Sequence, residues 1–349
     1  MTESQTRTPA TTNGDDDPFE SGESFEDFGP VSRHDPIRST SSWGFAAILR
    51  RIAVVAVASL VVVELLLHAK QSQSAATIVA NASLPWLAGC LGATALTYLM
   101  ATIATIGSTP VHLPRRPTFA VQLASSFVNR LVPGGVAGTV VNVRFVERSG
   151  AGRTGAIASS ALNNVAGLIV HLVVLVAFVP FFGGARRDVD PPDNSGLLLA
   201  VLVVLVGGGA VAWIRWIPHH WKRRVAGVRV AAVEVLRSPR RIAALVGGSA
   251  GITAAHALGL WCALHSVGGT TSVIDVTVVY LVAAAAASLS PTPGGLGAIE
   301  IALVTGLSQT GTPAATAAAA VILYRLISYW LPVAPGYVAF RSMRRGGYI

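Results

Sequence analysis

From about residue 48 onward, long apolar runs alternate with short polar connections. Six runs, roughly 48–68, 84–106, 155–180, 197–217, 241–264 and 314–338, are each long enough to cross a hydrocarbon core of about 30 Å as a helix. Two further apolar regions, 118–147 and 275–309, are broken at their centres by Pro133-Gly134-Gly135 and Pro293-Gly294-Gly295. Proline removes a backbone donor and glycine adds chain entropy, so each triplet ends a helix. The flanking arms of about 12–16 residues give roughly 18–24 Å of helix, short of a full crossing. The pattern predicts an all-α polytopic integral membrane protein. It has about six spanning helices plus two re-entrant hairpins, with eight short crossings as the alternative count.

Composition agrees. The 349 residues are 52% hydrophobic and 12% charged, about half the charge of a soluble domain. Charge is also unevenly placed. Residues 1–42 hold nine acidic and three basic residues among Ser, Thr, Gly and Pro, which reads as a disordered acidic tail. The remaining chain carries an excess of fifteen basic residues. These lie in loops beside membrane segments, where orientation and anionic headgroups explain them better than nucleic acid does. The two cysteines, Cys90 and Cys262, lie inside apolar runs and read as lipid- or core-facing. Trp43, Trp86, Trp213, Trp216, Trp261 and Trp330 fall mostly at segment ends, as interfacial belts require.

The chain matches itself at an offset of 160, with Pro133-Gly134-Gly135 on Pro293-Gly294-Gly295 and two small-residue helices following in step. This divides it into the tail (1–42), a first membrane repeat (43–182), an extracytoplasmic loop (183–196) and a second repeat (197–349). The basic loops give the repeats opposite orientation. Inverted repeats with broken helices are an architecture of transporters that alternate access around a central site.

Candidate chemistry gathers near the breaks. The second arms are expected to start at Val136 and Leu296, with unpaired N–H groups facing the break as an anion site. The plain alternative is that each Pro-Gly-Gly only turns the chain. Ionisable residues within apolar runs are Glu64, Arg130, Glu300 and Arg325, with Asp275 near a run's end. Each costs about 2.5–3.5 kcal/mol to insert and so implies a partner or an aqueous cavity. Arg130, Tyr324 and Arg325 are candidate substrate ligands with both Pro-Gly-Gly triplets, because a guanidinium matches a phosphodiester. Glu300 either orients Arg325, forms a structural ion pair with it, or meets a substrate amine. Asn129, Asn163 and Asn164 are candidate cavity-lining residues, and His171 and His256 read as hydrogen-bonded core residues. No metal-ligand spacing, nucleophile motif or soluble phosphate loop is visible, so neither a cofactor nor an enzyme is expected.

The stretch Pro291-Thr-Pro-Gly-Gly-Leu-Gly-Ala-Ile-Glu300, with Gly311 to Arg325 and Tyr329-Trp-Leu-Pro332, resembles the lysylphosphatidylglycerol synthase transmembrane-region family. Asn129-Arg-Leu-Val-Pro-Gly-Gly-Val-Ala-Gly138 is similar to that family's first glycine-rich motif, and the likeness covers roughly residues 45–345. The resemblance implies a flippase-like domain of a bacterial cytoplasmic membrane. Its counterpart in the multiple peptide resistance factors is implicated in moving aminoacylated phospholipids, while a separate soluble domain performs the aminoacyl transfer. This chain ends at Ile349 without room for that domain, so synthase activity is not expected. The family pattern also carries an acidic-basic pair where this chain has Asn163-Asn164.

The expected function is translocation of a phospholipid, a polyprenyl-phosphate-like lipid or a related anionic amphiphile. Membrane lipids are the partners, with a separate lipid-modifying enzyme as a further candidate. The alternatives are a small-solute transporter coupled to protonation of Glu300, or a non-catalytic membrane partner of such an enzyme. The basic loops predict that both termini and the Lys222–Arg241 region are cytoplasmic. Single cysteines placed near Asp193 in a cysteine-free background should react with an impermeant reagent in intact cells, and those near Lys222 should not. The reverse pattern would overturn this orientation.

Overall fold

The computed structural model describes residues 77–132, 136–178, 181–182, 233–288 and 292–349. The acidic tail, the runs at 48–68 and 197–217, Glu64, the Pro133-Gly134-Gly135 triplet, the 183–196 loop and most of the central basic loop lie outside them.

The described chain is helical and contains no strand. Its helices are α1 (Leu84–Gly107), α2 (Arg115–Leu131), α3 (Val136–Val146), α4 (Gly152–Phe178), α5 (Pro239–Ser266), α6 (Val273–Ser288), α7 (Ala298–Gln309), α8 (Ala314–Arg325) and α9 (Val333–Arg345). Four stretches are long and apolar enough to cross a membrane: Leu84–Gly107, Ala137–Phe178, Pro239–Ser266 and Ala314–Arg345. The chain is a multi-pass membrane protein. Both broken regions appear as helix pairs in contact, α2 with α3 and α6 with α7.

Local sequence accounts for the helix ends. Proline sits in the first turn of α1 and α5, where its missing donor is an orphan anyway. Ser272 and Asp275 cap α6: the Asp275 N–H donates to Ser272 Oγ at 3.1 Å, and that hydroxyl donates to the Asp275 carboxylate at 2.8 Å. Asp275 is thus a helix cap.

Three details differ from the sequence expectation. The arm after Pro293-Gly294-Gly295 starts at Ala298, because Leu296 and Gly297 are still in a turn. The last run continues as helix to Arg345 but is interrupted by a π-turn over Leu326–Trp330. Trp330 therefore sits in that turn, midway along the Ala314–Arg345 stretch and away from its ends.

The most extensive helix contact is α1 against α5. Small residues permit it: a Cβ added to Gly248 would lie 2.5 Å from the Ala104 nitrogen. Cys90 and Cys262 are buried in a core with Leu260, Leu303, Leu307 and Val321, drawn from α1, α5, α7 and α8. A second core joins Val121 and Ala124 of α2, Phe145 of α3 and Met343 of α9. Helix α4, by contrast, leaves Val165, Leu168, Ile169, Val173 and Val176 exposed, an apolar face suited to lipid. The two cores hold α2, α6, α7 and the π-turn around one polar interior.

Candidate functional site

The π-turn is the hinge of this interior. Pro332 has no N–H, so the carbonyl of Ser328, four residues earlier, loses its α-helical donor. Arg130 Nη2 donates to that carbonyl at 3.3 Å, linking the end of α2 to the π-turn. Freed carbonyls at membrane depth need such a replacement donor. Arg130 Nη1 also donates to Ser126 Oγ, one helical turn back, and the Ser126 hydroxyl pairs with Tyr98 Oη at 3.0 Å.

Arg325 lies at the end of α8, just before the same turn. Its Nε donates to Glu300 Oε1 at 2.6 Å, the single ion pair among the described residues. Glu300 Oε2 accepts the Gly297 N–H at 2.7 Å, capping α7. The carboxylate of Glu300 thus occupies the positive end of α7 itself, where the sequence suggested an external anion.

Tyr329 joins the two arginines. The guanidinium carbon of Arg130 lies 4.8 Å from its ring centroid, and that of Arg325 lies 4.3 Å away. The two cations are therefore no farther apart than those two distances combined. Such contacts contribute about 2 kcal/mol each when desolvated. Gly294 closes the cluster from the second break. Its φ of +63° suits glycine, and a Cβ there would sit 2.5 Å from the Tyr329 ring.

Balance in this cluster is incomplete. Arg130, Glu300 and Arg325 are each at most 9% exposed. Among the described residues one buried carboxylate accompanies these two guanidinium groups, and it pairs with Arg325 alone. Arg130 Nε and Arg325 Nη2 are buried and have no hydrogen-bond acceptor.

A cavity of about 370 Å³ opens beside Arg130, lined also by Tyr98, Gln122, Ser126, Asn129, Gly294 and Tyr329. A second, of about 340 Å³, shares His256 with it and is lined by Asn163, Asn164, His171 and Thr253. A small one of about 30 Å³ shares Asn142 with the first and Asn163 and Asn164 with the second. Asn129 Oδ1 accepts the Gly138 N–H at 2.6 Å, tying α2 to the first turn of α3. Gly138 has to be glycine for that approach, since a Cβ would lie 2.5 Å from Asn129 Nδ2.

The sequence candidates therefore divide. Arg130, Asn129 and Gly294 line the large cavity, and Asn163 and Asn164 line its neighbours. Glu300, Tyr324, Gly295 and Arg325 lie behind it, where Tyr324 Oη pairs with His256 Nδ1 at 2.9 Å. His171 is likewise hydrogen-bonded, to the Leu281 carbonyl at 3.0 Å. The backbone at Pro293 belongs to the same short turn as Gly294 and Gly295. The sequence reading missed Tyr329, Ser126 and Tyr98. The signal available was spacing: Tyr329 follows Arg325 by four residues and Ser126 precedes Arg130 by four, each one helical turn away.

The profile of the lysylphosphatidylglycerol synthase TM region matches residues 48–336. The chain belongs to that family. The match takes in the Arg130 end of α2, the second break and the π-turn, so the described site lies wholly within the family region. A UPF0104 membrane protein of Methanocaldococcus jannaschii, MJ1595, is 38% identical over 88 residues, or 25% of this chain and 26% of that protein. The shared stretch thus spans about a quarter of that relative.

The Glu300–Arg325 pair has a clear energetic signature. Removing one partner strands a buried charge at a cost of about 3–5 kcal/mol, whereas replacing both with neutral groups costs far less. Arg325→Ala should therefore lower the thermal unfolding temperature in detergent markedly. Glu300→Gln with Arg325→Gln should recover much of the loss. A double variant as unstable as Arg325→Ala would show that the pair is not what Arg325 contributes.

Proposed function

We propose that this chain is a lipid translocase, carrying a phospholipid or related anionic amphiphile across the cytoplasmic membrane with both termini on the cytoplasmic side. One observation carries the reading. Arg130 is buried, lines a cavity, keeps an unpartnered Nε and has no carboxylate partner among the described residues. A cation so placed is stabilised by an anion entering the cavity, and a phosphodiester is the anionic group that a membrane supplies in abundance.

The two arginines then have different tasks. Arg130 is the phosphate ligand. Arg325, clamped by Glu300, supports the Tyr329 ring against which Arg130 rests. Membership of the transmembrane-region family favours a lipid over a small solute. The alternative of proton coupling through Glu300 is weakened because both its oxygens are engaged, one by Arg325 and one by Gly297. We read the chain as a carrier and not an enzyme: among the described residues the lining holds one guanidinium, amides, hydroxyls and His256, with no nucleophile–base pair. Any covalent change to the lipid belongs to a separate lipid-modifying partner.

The test is headgroup accessibility in reconstituted vesicles. With phosphatidylglycerol carrying a fluorescent acyl chain, wild-type protein should expose both leaflets to a membrane-impermeant reductant. Arg130→Gln should slow that exposure by about tenfold or more, the loss of one charge-assisted bond, while keeping the wild-type elution profile. Unchanged exposure in a folded Arg130→Gln variant would remove this residue, and with it the reading.

A further inference from the structure

The chemistry of the cavity walls says more than that an anion enters. Around Arg130 the large cavity presents neutral donors and acceptors: Thr97, Tyr98, Gln122, Ser125, Ser126 and Asn129. The adjoining spaces continue in the same vein with Asn163, Asn164 and Thr253, then Thr139, Ser159 and Ser160. Two of these groups, Ser159 Oγ and Asn163 Oδ1, are buried without a hydrogen-bond partner. A buried polar atom left unpaired is costly, so each is an open position for a ligand hydroxyl. Apart from Arg130, His171 and His256, the polar side chains of the described lining are hydroxyls and amides.

No carboxylate stands among its described residues. Among the described residues outside the tail the acidic side chains are Glu147, Glu234, Asp275 and Glu300, and none lines any of the three cavities. Glu300 is the buried one, and its oxygens are taken by Arg325 and Gly297. A headgroup bearing an ammonium would face Arg130 with no counter-charge, an arrangement that discriminates against it by repulsion.

We propose that the substrate is a lipid phosphodiester of single negative charge whose headgroup is neutral and rich in hydroxyls, such as a glycerol, an inositol or a sugar. Aminoacylated and other cationic headgroups are excluded. Arg130 takes the phosphate, and the hydroxyl and amide walls take the polyol. This inference rests on the translocase reading and specifies its cargo.

Native mass spectrometry of delipidated protein with defined ligands tests it. Phosphatidylinositol and phosphatidylglycerol should bind at least about tenfold more tightly than lysyl-phosphatidylglycerol, which carries a cationic headgroup. Both should also exceed phosphatidic acid, which has the phosphate without the polyol. Arg130→Gln should erase the preference over lysyl-phosphatidylglycerol. Arg130→Lys, which keeps the charge, should retain part of it and covers the case in which the glutamine variant fails to fold. Lysyl-phosphatidylglycerol binding as tightly as phosphatidylinositol would overturn the headgroup assignment and leave the translocase reading intact. Phosphatidic acid matching phosphatidylinositol would overturn the polyol part. Water-soluble glycerophosphoinositol binding as tightly as the lipid would instead sink the lipid reading while keeping the headgroup chemistry.

Discussion

Two guanidinium groups share one tyrosine ring inside an apolar helical body, and among the described residues a single buried carboxylate accompanies them, bound to Arg325. That imbalance governs the site. Arg325 is neutralised by Glu300 and held at the start of the π-turn, and Tyr329 follows on that turn. Arg130 reaches the same ring from α2 and is held by Ser126 and the Ser328 carbonyl, neither of which carries charge. Hydrogen bonds to neutral groups soften the desolvation of a cation without cancelling its charge. In the proposed reading, the remaining compensation comes from an anion in the cavity beside Arg130.

Every local oddity near the cluster serves this arrangement. Pro332 withholds a donor from Ser328 and so frees a carbonyl for Arg130. The π-turn re-aims Tyr329; such turns often mark functional sites. Gly294 lets the second break lie against the ring, and Gly138 lets the second arm of the other break approach Asn129. A break that only turned the chain would not need its glycine against the aromatic group that both arginines touch.

Much of this was legible from sequence, and the reasons are specific. Apolar run length located α1, α4 and α5 within a few residues, and the glycine-proline triplets located the gaps beside α2 and α6. Burying a charge is costly enough that Arg130, Glu300 and Arg325 stood out individually. Their division of labour did not, because it depends on which face of α8 meets α7 and on the π-turn, and apolar periodicity reports neither. The offset of 160 carries a further lesson. Element order recurs across it, from α1 and α5 to α4 and α8, yet Glu300 and Arg325 fall on Val140 and Val165, both about half exposed. Helix order recurs at this offset among the described elements, while the charged cluster is formed by Glu300, Arg325 and Arg130.

The central claim is that Arg130 completes its charge balance with a lipid phosphate. An experimental density map of the protein in nanodiscs containing phosphatidylglycerol tests it most directly. The account predicts a headgroup in the cavity with phosphate oxygens within about 3 Å of the Arg130 guanidinium, the usual span of a charge-assisted hydrogen bond. A carboxylate of this chain occupying that position, with lipid confined to the outer apolar faces, would contradict it.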